Sequence, residues 1–188
     1  MVKEERMDFL RKLFLWLAVF GLPVGGSVFG VVGFSLVPTP ASAATIRSCV
    51  SADLRVTLGT AQGAAGTIYH PIVFTNVSST PCSMFGVPVI QPVRGADHKD
   101  VGPLARNTSM GEMPALHTLS SRRSVSVAFG VTETGNYTPS ACVARAADGV
   151  LVSIGNFLHS HFVHLPISVC AKRASTTTKL LTPGSKGY

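Results

Sequence analysis

Hydrophobic and polar residues alternate at every second position in several parts of this chain, which is the spacing of half-buried β-strands. Other segments are short, rich in β-branched residues and bounded by Gly, Pro, Ser or Asn. The six segments with these patterns are 54–58, 68–76, 87–93, 124–129, 150–154 and 163–169. Residues 44–188 contain no uninterrupted amphipathic helical pattern. Six or seven short strands predict an all-β fold and favour an antiparallel β-sandwich over a barrel or an α/β fold.

One long segment and one proline refine this prediction. The longest gap between predicted strands, residues 94–121, is rich in Gly, Pro, Asn and Ser. We expect it to form an extended surface loop or a crossover between the two halves. Pro166 lies inside the last predicted strand, and because proline has no amide hydrogen for a central ladder, this strand is expected at a sheet edge or at a bulge.

The first 43 residues differ in composition from the rest. Basic residues precede an uncharged apolar stretch at 13–37, and Pro38-Thr39-Pro40 is followed by the small residues Ala41-Ser42-Ala43. This order is typical of a signal peptide, and we predict that residues 1–43 are cleaved off before Ala44. The alternative is an uncleaved N-terminal helix that anchors the protein to the membrane. Both interpretations place the remaining chain outside the cytoplasm, with a secreted, extracellular or cell-wall-associated location.

The predicted domain organisation has three parts: a signal peptide at 1–43, a sandwich at 44–170 and a basic tail at 171–188. The whole chain has a formal net charge of +7. The tail is rich in Thr and Ser and contains no acid. We therefore expect it to be flexible and solvated. Its four basic residues are Lys172, Arg173, Lys179 and Lys186.

All the cysteines, Cys49, Cys82, Cys142 and Cys170, lie in the predicted exported part. An even number of cysteines in an oxidising compartment predicts two disulfides, because no C-x-x-C pair is present to hold a metal or a redox centre. Three connectivities are possible. We favour Cys49 with Cys82 and Cys142 with Cys170, since each pair then closes a loop of about thirty residues, which stabilises by at most about 3–4 kcal/mol.

A histidine-rich segment is the candidate metal site. His159 and His161 would share one face of a strand, which is the local geometry of a two-histidine site, whereas His164 would face the other way. A third ligand would have to come from His70, His98 or an acid. The simpler interpretation is a hairpin tip with solvated imidazoles, because no carboxylate lies nearby in sequence to orient them.

Motifs of common enzyme classes are missing. The sequence has no G-x-S-x-G, no H-E-x-x-H and no phosphate-binding loop. The nearest resemblance to a catalytic cluster is 97–100, Asp-His-Lys-Asp, which fits a charged exposed loop. Trp16 lies in the predicted leader, so the exported part has little with which to stack bases or sugars. We expect no enzymatic activity, no cofactor, no nucleic-acid partner and no membrane contact except through an uncleaved leader.

A series of short motifs resembles one known family. These motifs are Cys49, Gly63-Ala64-Ala65-Gly66, Phe74-Thr75-Asn76, Cys82, Gly86-Val87-Pro88, Cys142 and Cys170. The order is similar to that of the exported actinobacterial family called domain of unknown function 4232. The resemblance covers nearly all of residues 49–170. It implies an immunoglobulin-like β-sandwich, export or surface display, and no known activity.

The same motif residues have structural interpretations. Gly63 and Gly66 suit a turn with positive φ between the first two strands. Phe74 suits the core, Asn76 suits hydrogen bonding to the next turn, and Gly86 suits a bulge beside Cys82. The sequence therefore predicts a noncatalytic binding or interaction module that contacts an unidentified component of the cell envelope. The alternative is a carrier of a small ligand or metal that uses the His159/His161 segment.

Overall fold

Short β-strands dominate the computed structural model, which describes residues 45–154 and 160–188. The predicted signal peptide at 1–43 and the candidate ligand His159 lie outside these residues. The described residues belong to one compact unit, Ala43–Tyr188. Among them, no helix is long and apolar enough to span a membrane.

Thirteen strands and three helical turns follow one another in the described residues. The strands are β1 Leu54–Leu58, β2 Gln62–Ala64, β3 Thr67–Asn76, β4 Cys82–Phe85, β5 Val89–Arg94, β6 Lys99–Asp100, β7 Arg106–Asn107, β8 Leu116–Leu119, β9 Ser124–Thr132, β10 Ala144–Ser153, β11 His161–Cys170, β12 Thr176–Thr178 and β13 Thr182–Pro183. The helical segments are a single α-helical turn, α1 Pro139–Cys142, and 3₁₀ turns at Ser51–Asp53 and Thr134–Asn136.

Two sheets and a ribbon organise these strands. The larger sheet has the order β1-β3-β9-β12-β7, with β2 added to β3 and β13 added to β9. The second sheet has the order β11-β10-β5-β6, and β4 pairs with β8 in a separate ribbon. The named strand pairs of the described residues are antiparallel except β12 with β7, which is parallel.

The hydrophobic core lies between the two sheets. Phe74 and Phe129 of the larger sheet and Val150 of the smaller sheet are completely buried in one cluster. Burying such side chains stabilises by about 1.5–3 kcal/mol each. The predicted all-β sandwich is therefore confirmed, and β9 supplies the core from every second position, Val125, Val127, Phe129 and Val131, as its sequence pattern indicated.

Two disulfides join distant parts of the unit. Cys49 pairs with Cys82 and Cys142 pairs with Cys170, which is the connectivity favoured by loop length. The loops span 33 and 28 residues. Cys82 begins β4 and Cys170 ends β11, so each bond fixes one end of a strand.

The expectation for Pro166 is confirmed. It lies in β11, which is the edge strand of the smaller sheet. The register between β10 and β11 shifts between Ala147 and Gly149, opposite this proline. The gap at 94–121 does run between the two halves, but it also contains the short strands β6, β7 and β8. These strands are only two to four residues long, which is too short for a two-residue period to be detected in the sequence.

The prediction that residues 171–188 form a flexible tail is wrong. Thr176 and Thr178 are buried in β12, which pairs with β9 and β7, and Leu181 enters the core with 4% of its surface exposed. Gly187 donates its amide hydrogen to Ser126 Oγ at 2.9 Å. Threonine is β-branched and fits strands well, so the Thr-rich composition supports pairing here as readily as solvation. The sandwich therefore extends beyond 170 and includes this segment.

The motif residues behave largely as predicted. Gly66 adopts φ of +75° in the turn between β2 and β3, with Ala65 at +47° beside it. Gly63 instead lies within β2 and needs no special conformation, so its expected role in the turn is wrong. Gly86 has φ of +99° directly after β4, and Phe74 is fully buried.

Candidate functional site

An open groove lies beside the turn between β8 and β9. Its volume is about 690 Å³. One wall is β8 with the turn that follows it and the start of β9, and the other wall is the end of β13 with the two residues after it. The groove is lined by Leu116, His117, Thr118, Leu119, Ser120, Arg122, Arg123, Ser124, Val125, Pro183, Gly184 and Ser185.

The turn that carries the two arginines has a fixed backbone. Arg123 donates its amide hydrogen to Ser120 O at 3.0 Å, and Arg122 donates its own to Asn76 O at 2.8 Å. Arg122 has φ of +62°, a conformation that favours glycine and costs a larger residue about 1–2 kcal/mol. The chain thus places a long cationic side chain at a position where glycine would be the easier choice.

The Asn76 side chain stabilises this turn through hydrogen bonds. Its side-chain amide donates to Thr80 O at 3.0 Å and to Leu119 O at 2.9 Å, and its Oδ1 accepts from the Ser78 amide and hydroxyl at 2.9 and 2.7 Å. The side chain is completely buried. The predicted role of Asn76 at the end of its strand is therefore confirmed, and it extends to the arginine turn.

The opposite wall is attached by backbone hydrogen bonds. Gly184 donates its amide hydrogen to Ser124 O at 2.9 Å, and His117 Nε2 lies 3.0 Å from Leu181 O. Ser124 Oγ also lies 2.8 Å from Thr75 Oγ1 on the neighbouring strand. Hydrogen bonds therefore fix both walls to β9 or to each other, so the shape of the groove is set by the fold of the sandwich.

The charge of the groove is uniformly positive. Arg122 and Arg123 are exposed, and none of the lining residues is a carboxylate. Within the described ranges, the ion pair that forms is Arg47 with Asp53, elsewhere in the unit. Hydroxyl groups of Thr118, Ser120 and Ser185 add neutral hydrogen-bonding partners. Guanidinium forks and hydroxyls together suit an anion rich in oxygen.

A second cavity of about 540 Å³ contains the 97–100 segment. Its lining mixes Arg94, Lys99 and Arg145 with the acids Asp97 and Asp100. The opposite charges neutralise each other in part, so this cavity attracts anions less than the groove does. The intervening His98 stacks on the Phe162 ring, with centroids 4.4 Å apart, so its side chain packs on the sheet surface.

The structure places the histidine candidates on different faces. His161 Nε2 lies 2.8 Å from Ser51 Oγ, and partial burial lowers the pKa of His161. His164 is exposed on the opposite face of β11, as predicted. In the part of the chain that the structure describes, no three His, Cys, Asp or Glu side chains come together as a metal site. Burial also lowers the pKa of His70, which lies in β3.

Asp53 forms an ion pair with Arg47 in the segment between Cys49 and β1. Arg47 donates to both carboxylate oxygens at 2.6 and 2.9 Å, and the Val50 amide donates at 2.8 Å. The hydrogen bond from Arg47 is the largest cause that lowers the pKa of Asp53. This cluster secures the segment before β1 and has no free charge left for a ligand.

Sequence reasoning missed the arginine pair. Arg122 and Arg123 stand between serines just before β9, and two adjacent cations in a polar turn were a usable signal. The two arginines line one groove with residues 183–185 because β13 pairs with β9, and the spacing of residues in the sequence does not indicate this pairing.

Comparison with known proteins gives one family. The family model described as Domain of unknown function (DUF4232) matches residues 49–182. The matched region begins at the first disulfide cysteine and ends in β13, so it includes both disulfides and the arginine turn. No curated protein matches the chain.

Proposed function

The chain belongs to the domain of unknown function 4232 family, a description that names no activity, and we propose that it is a noncatalytic extracellular binding module of the cell envelope. The groove beside Arg122 and Arg123 is its binding site, and a phosphate-bearing envelope polymer is its ligand. The observation that carries this proposal is the pair of exposed arginines in a groove lined without any carboxylate.

The chemistry of the lining supports a phosphate ligand. An arginine fork matches two phosphate oxygens at once, and nearby hydroxyls donate to the remaining ones. Leu116 and Pro183 give the groove apolar edges, but it has no Phe, Tyr or Trp on which a base or a sugar ring would stack. Recognition therefore depends on charge and hydrogen bonding, and affinity should fall steeply with added salt.

The same lining supports binding without catalysis. It contains no cysteine or carboxylate that could act as a nucleophile or as an acid–base partner of His117. An extracellular location is supported by the two disulfides, which are typical of oxidising compartments.

Binding to long-chain inorganic polyphosphate tests the proposal. Protein beginning at Ala44 is titrated by calorimetry at 50 and 500 mM salt, with poly-glutamate of equal length and monomeric phosphate as comparison ligands. We expect polyphosphate to bind best. The double variant Arg122→Gln/Arg123→Gln should weaken binding about tenfold or more and flatten the slope of log K against log salt by about 1.5–2.

Arg145→Gln/Lys172→Gln is the matched control, because it removes the same charge away from the groove. If this control weakens binding as much as the groove variant, attraction is general to the basic surface and the assigned site is wrong. Equal affinity for poly-glutamate would refute phosphate as the ligand chemistry.

A further inference from the structure

Four large apolar side chains protrude next to the groove. Met110 and Met113 are 88% and 89% exposed, and Leu116 and Phe85 are 67% and 53% exposed. Exposed apolar side chains that cluster mark interaction sites, whereas scattered ones do not. These four side chains indicate an interaction site only if they lie close together on the surface.

Pairing and hydrogen bonds bring them to one end of the unit. Phe85 and Leu116 are directly opposite each other in the β4–β8 ribbon. The Leu181 amide donates to Gly86 O at 3.2 Å, and the Leu180 amide donates to Ser109 Oγ at 2.9 Å. Gly86, which follows Phe85, and Ser109, which precedes Met110, are therefore hydrogen-bonded to the same segment, 180–181. We call Phe85, Met110, Met113 and Leu116 the apolar tip.

The methionines stand on a tight turn. Glu112 donates its amide hydrogen to Ser109 O at 3.3 Å, and Gly111 has φ of +84°. Met110 occupies a corner of this turn, and its exposure of 88% means that it touches almost nothing of its own domain. The side chains therefore form a convex projection and not a flat patch.

Cations border the apolar tip. Leu116 lines the same groove as Arg122 and Arg123, so apolar and cationic groups are contiguous on this end of the unit. The nearest acid in this sequence segment is Glu112, inside the methionine turn. Protruding apolar groups beside cations are complementary to a bilayer with anionic lipids, whose acyl boundary accepts the former and whose phosphates attract the latter.

We infer that the apolar tip inserts into the headgroup region of an anionic lipid surface while Arg122 and Arg123 contact lipid phosphates. This contact goes beyond the groove ligand, and it differs from the expectation that only an uncleaved leader touches a membrane. A protein partner would need a broad complementary area, typically about 800 Å² on each side. A projection formed by a two-strand ribbon and one turn suits insertion better.

A single-tryptophan reporter tests this inference. Protein beginning at Ala44 contains no tryptophan, because Trp16 is the one in the chain. In Met110→Trp, we expect a blue shift of the emission with vesicles of phosphatidylcholine containing 30% phosphatidylglycerol at 50 mM salt, and much less with pure phosphatidylcholine. Ile68→Trp is the control, because Ile68 is 38% exposed and lies at the far end of β3.

Cosedimentation with the same vesicles gives the magnitudes. Met110→Ser/Met113→Ser should lower affinity about tenfold or more, since each side chain loses much of its transfer into the interface. These side chains make few contacts in the domain, so the fold should be unaffected. Arg122→Gln should lower affinity about fivefold. Glu112→Gln should raise it, because a carboxylate is repelled by anionic lipid.

Several results would overturn this inference. They are an unshifted Met110→Trp spectrum at low salt, an equal shift for Ile68→Trp, and a dimer that Met110→Ser/Met113→Ser abolishes without vesicles. The methionine variant should keep full polyphosphate binding. Loss of lipid binding with polyphosphate binding intact therefore separates this inference from the proposed function.

Discussion

Replacing Leu181 by alanine tests the most unexpected feature of the fold, which is the structured segment after Cys170. Leu181 is 4% exposed and belongs to the core cluster that Phe74 and Phe129 also form. Its backbone amide donates to Gly86 O, a bond that the substitution leaves in place. The change therefore removes packing and leaves the backbone pairing intact.

The size of the effect follows from this burial. A buried leucine replaced by alanine costs about 2–5 kcal/mol, because transfer free energy is lost and a cavity remains. Domains of this size unfold with about 5–15 kcal/mol in total. A loss near 3 kcal/mol lowers the midpoint of thermal unfolding by about 6–12 °C.

Urea unfolding of protein beginning at Ala44, followed by far-ultraviolet circular dichroism, gives the free energy of unfolding. Leu180→Ala is the matched control, because Leu180 is one residue earlier and only partly buried. We expect a lower midpoint with an unchanged m-value for Leu181→Ala and a clearly smaller loss for Leu180→Ala. A change within about 0.5 kcal/mol for Leu181→Ala would mean that the segment is a loose tail after all.

Three further predictions concern the arginine turn, acid stability and processing. Asn76→Ala should cost about 3 kcal/mol in urea unfolding, because the buried Leu119 carbonyl and the partly buried Thr80 carbonyl lose their donor; Thr75→Ala, which loses one partly buried hydroxyl pair, should cost less. The pKa of Asp53 is lowered by Arg47, so its stabilisation is complete above about pH 4 and is lost as pH falls further. Asp53→Asn should therefore be less stable at pH 6 but lose less stability between pH 5 and pH 2.5 than wild type; parallel losses would contradict this account. Intact-mass spectra from the native host should show a chain beginning at Ala44 that gains the hydrogens of two disulfides on reduction, and four alkylatable thiols before reduction would count against export.

The main strands could be predicted because each is either an alternating pattern or a short β-branched run bounded by turn residues. In β9 the sequence alternates through Val125, Val127 and Phe129, whereas in β3 Ile72, Val73 and Phe74 form a continuous apolar run that is buried throughout. Loop length also favoured the observed cysteine pairing, since each bond stays within one half of the chain.

Short pairings escaped prediction for a physical reason. β7 and β13 are two residues long, and neither has room for a two-residue period. β12 consists of three threonines, whose polar composition hides two buried positions. Such strands are stabilised by the partner that they join, so their own sequence carries little signal.

The groove and the apolar tip could not be predicted, because both depend on long-range contacts. Arg122 meets Gly184 only because β13 returns to β9, some sixty residues later in the chain. Met110 and Met113 are ordinary residues in sequence, and their near-complete exposure is a property of the fold. Distances along the chain do not indicate which loops share one end of a sandwich.

A two-dimensional NMR titration of isotopically labelled protein with polyphosphate tests the assigned binding site most directly. The account predicts that amide shifts concentrate at 120–124 and 184–185, the two walls of the groove. It also predicts that these shifts vanish in Arg122→Gln/Arg123→Gln. Shifts centred on the second cavity at 94–102, or spread evenly over the basic surface, would contradict it.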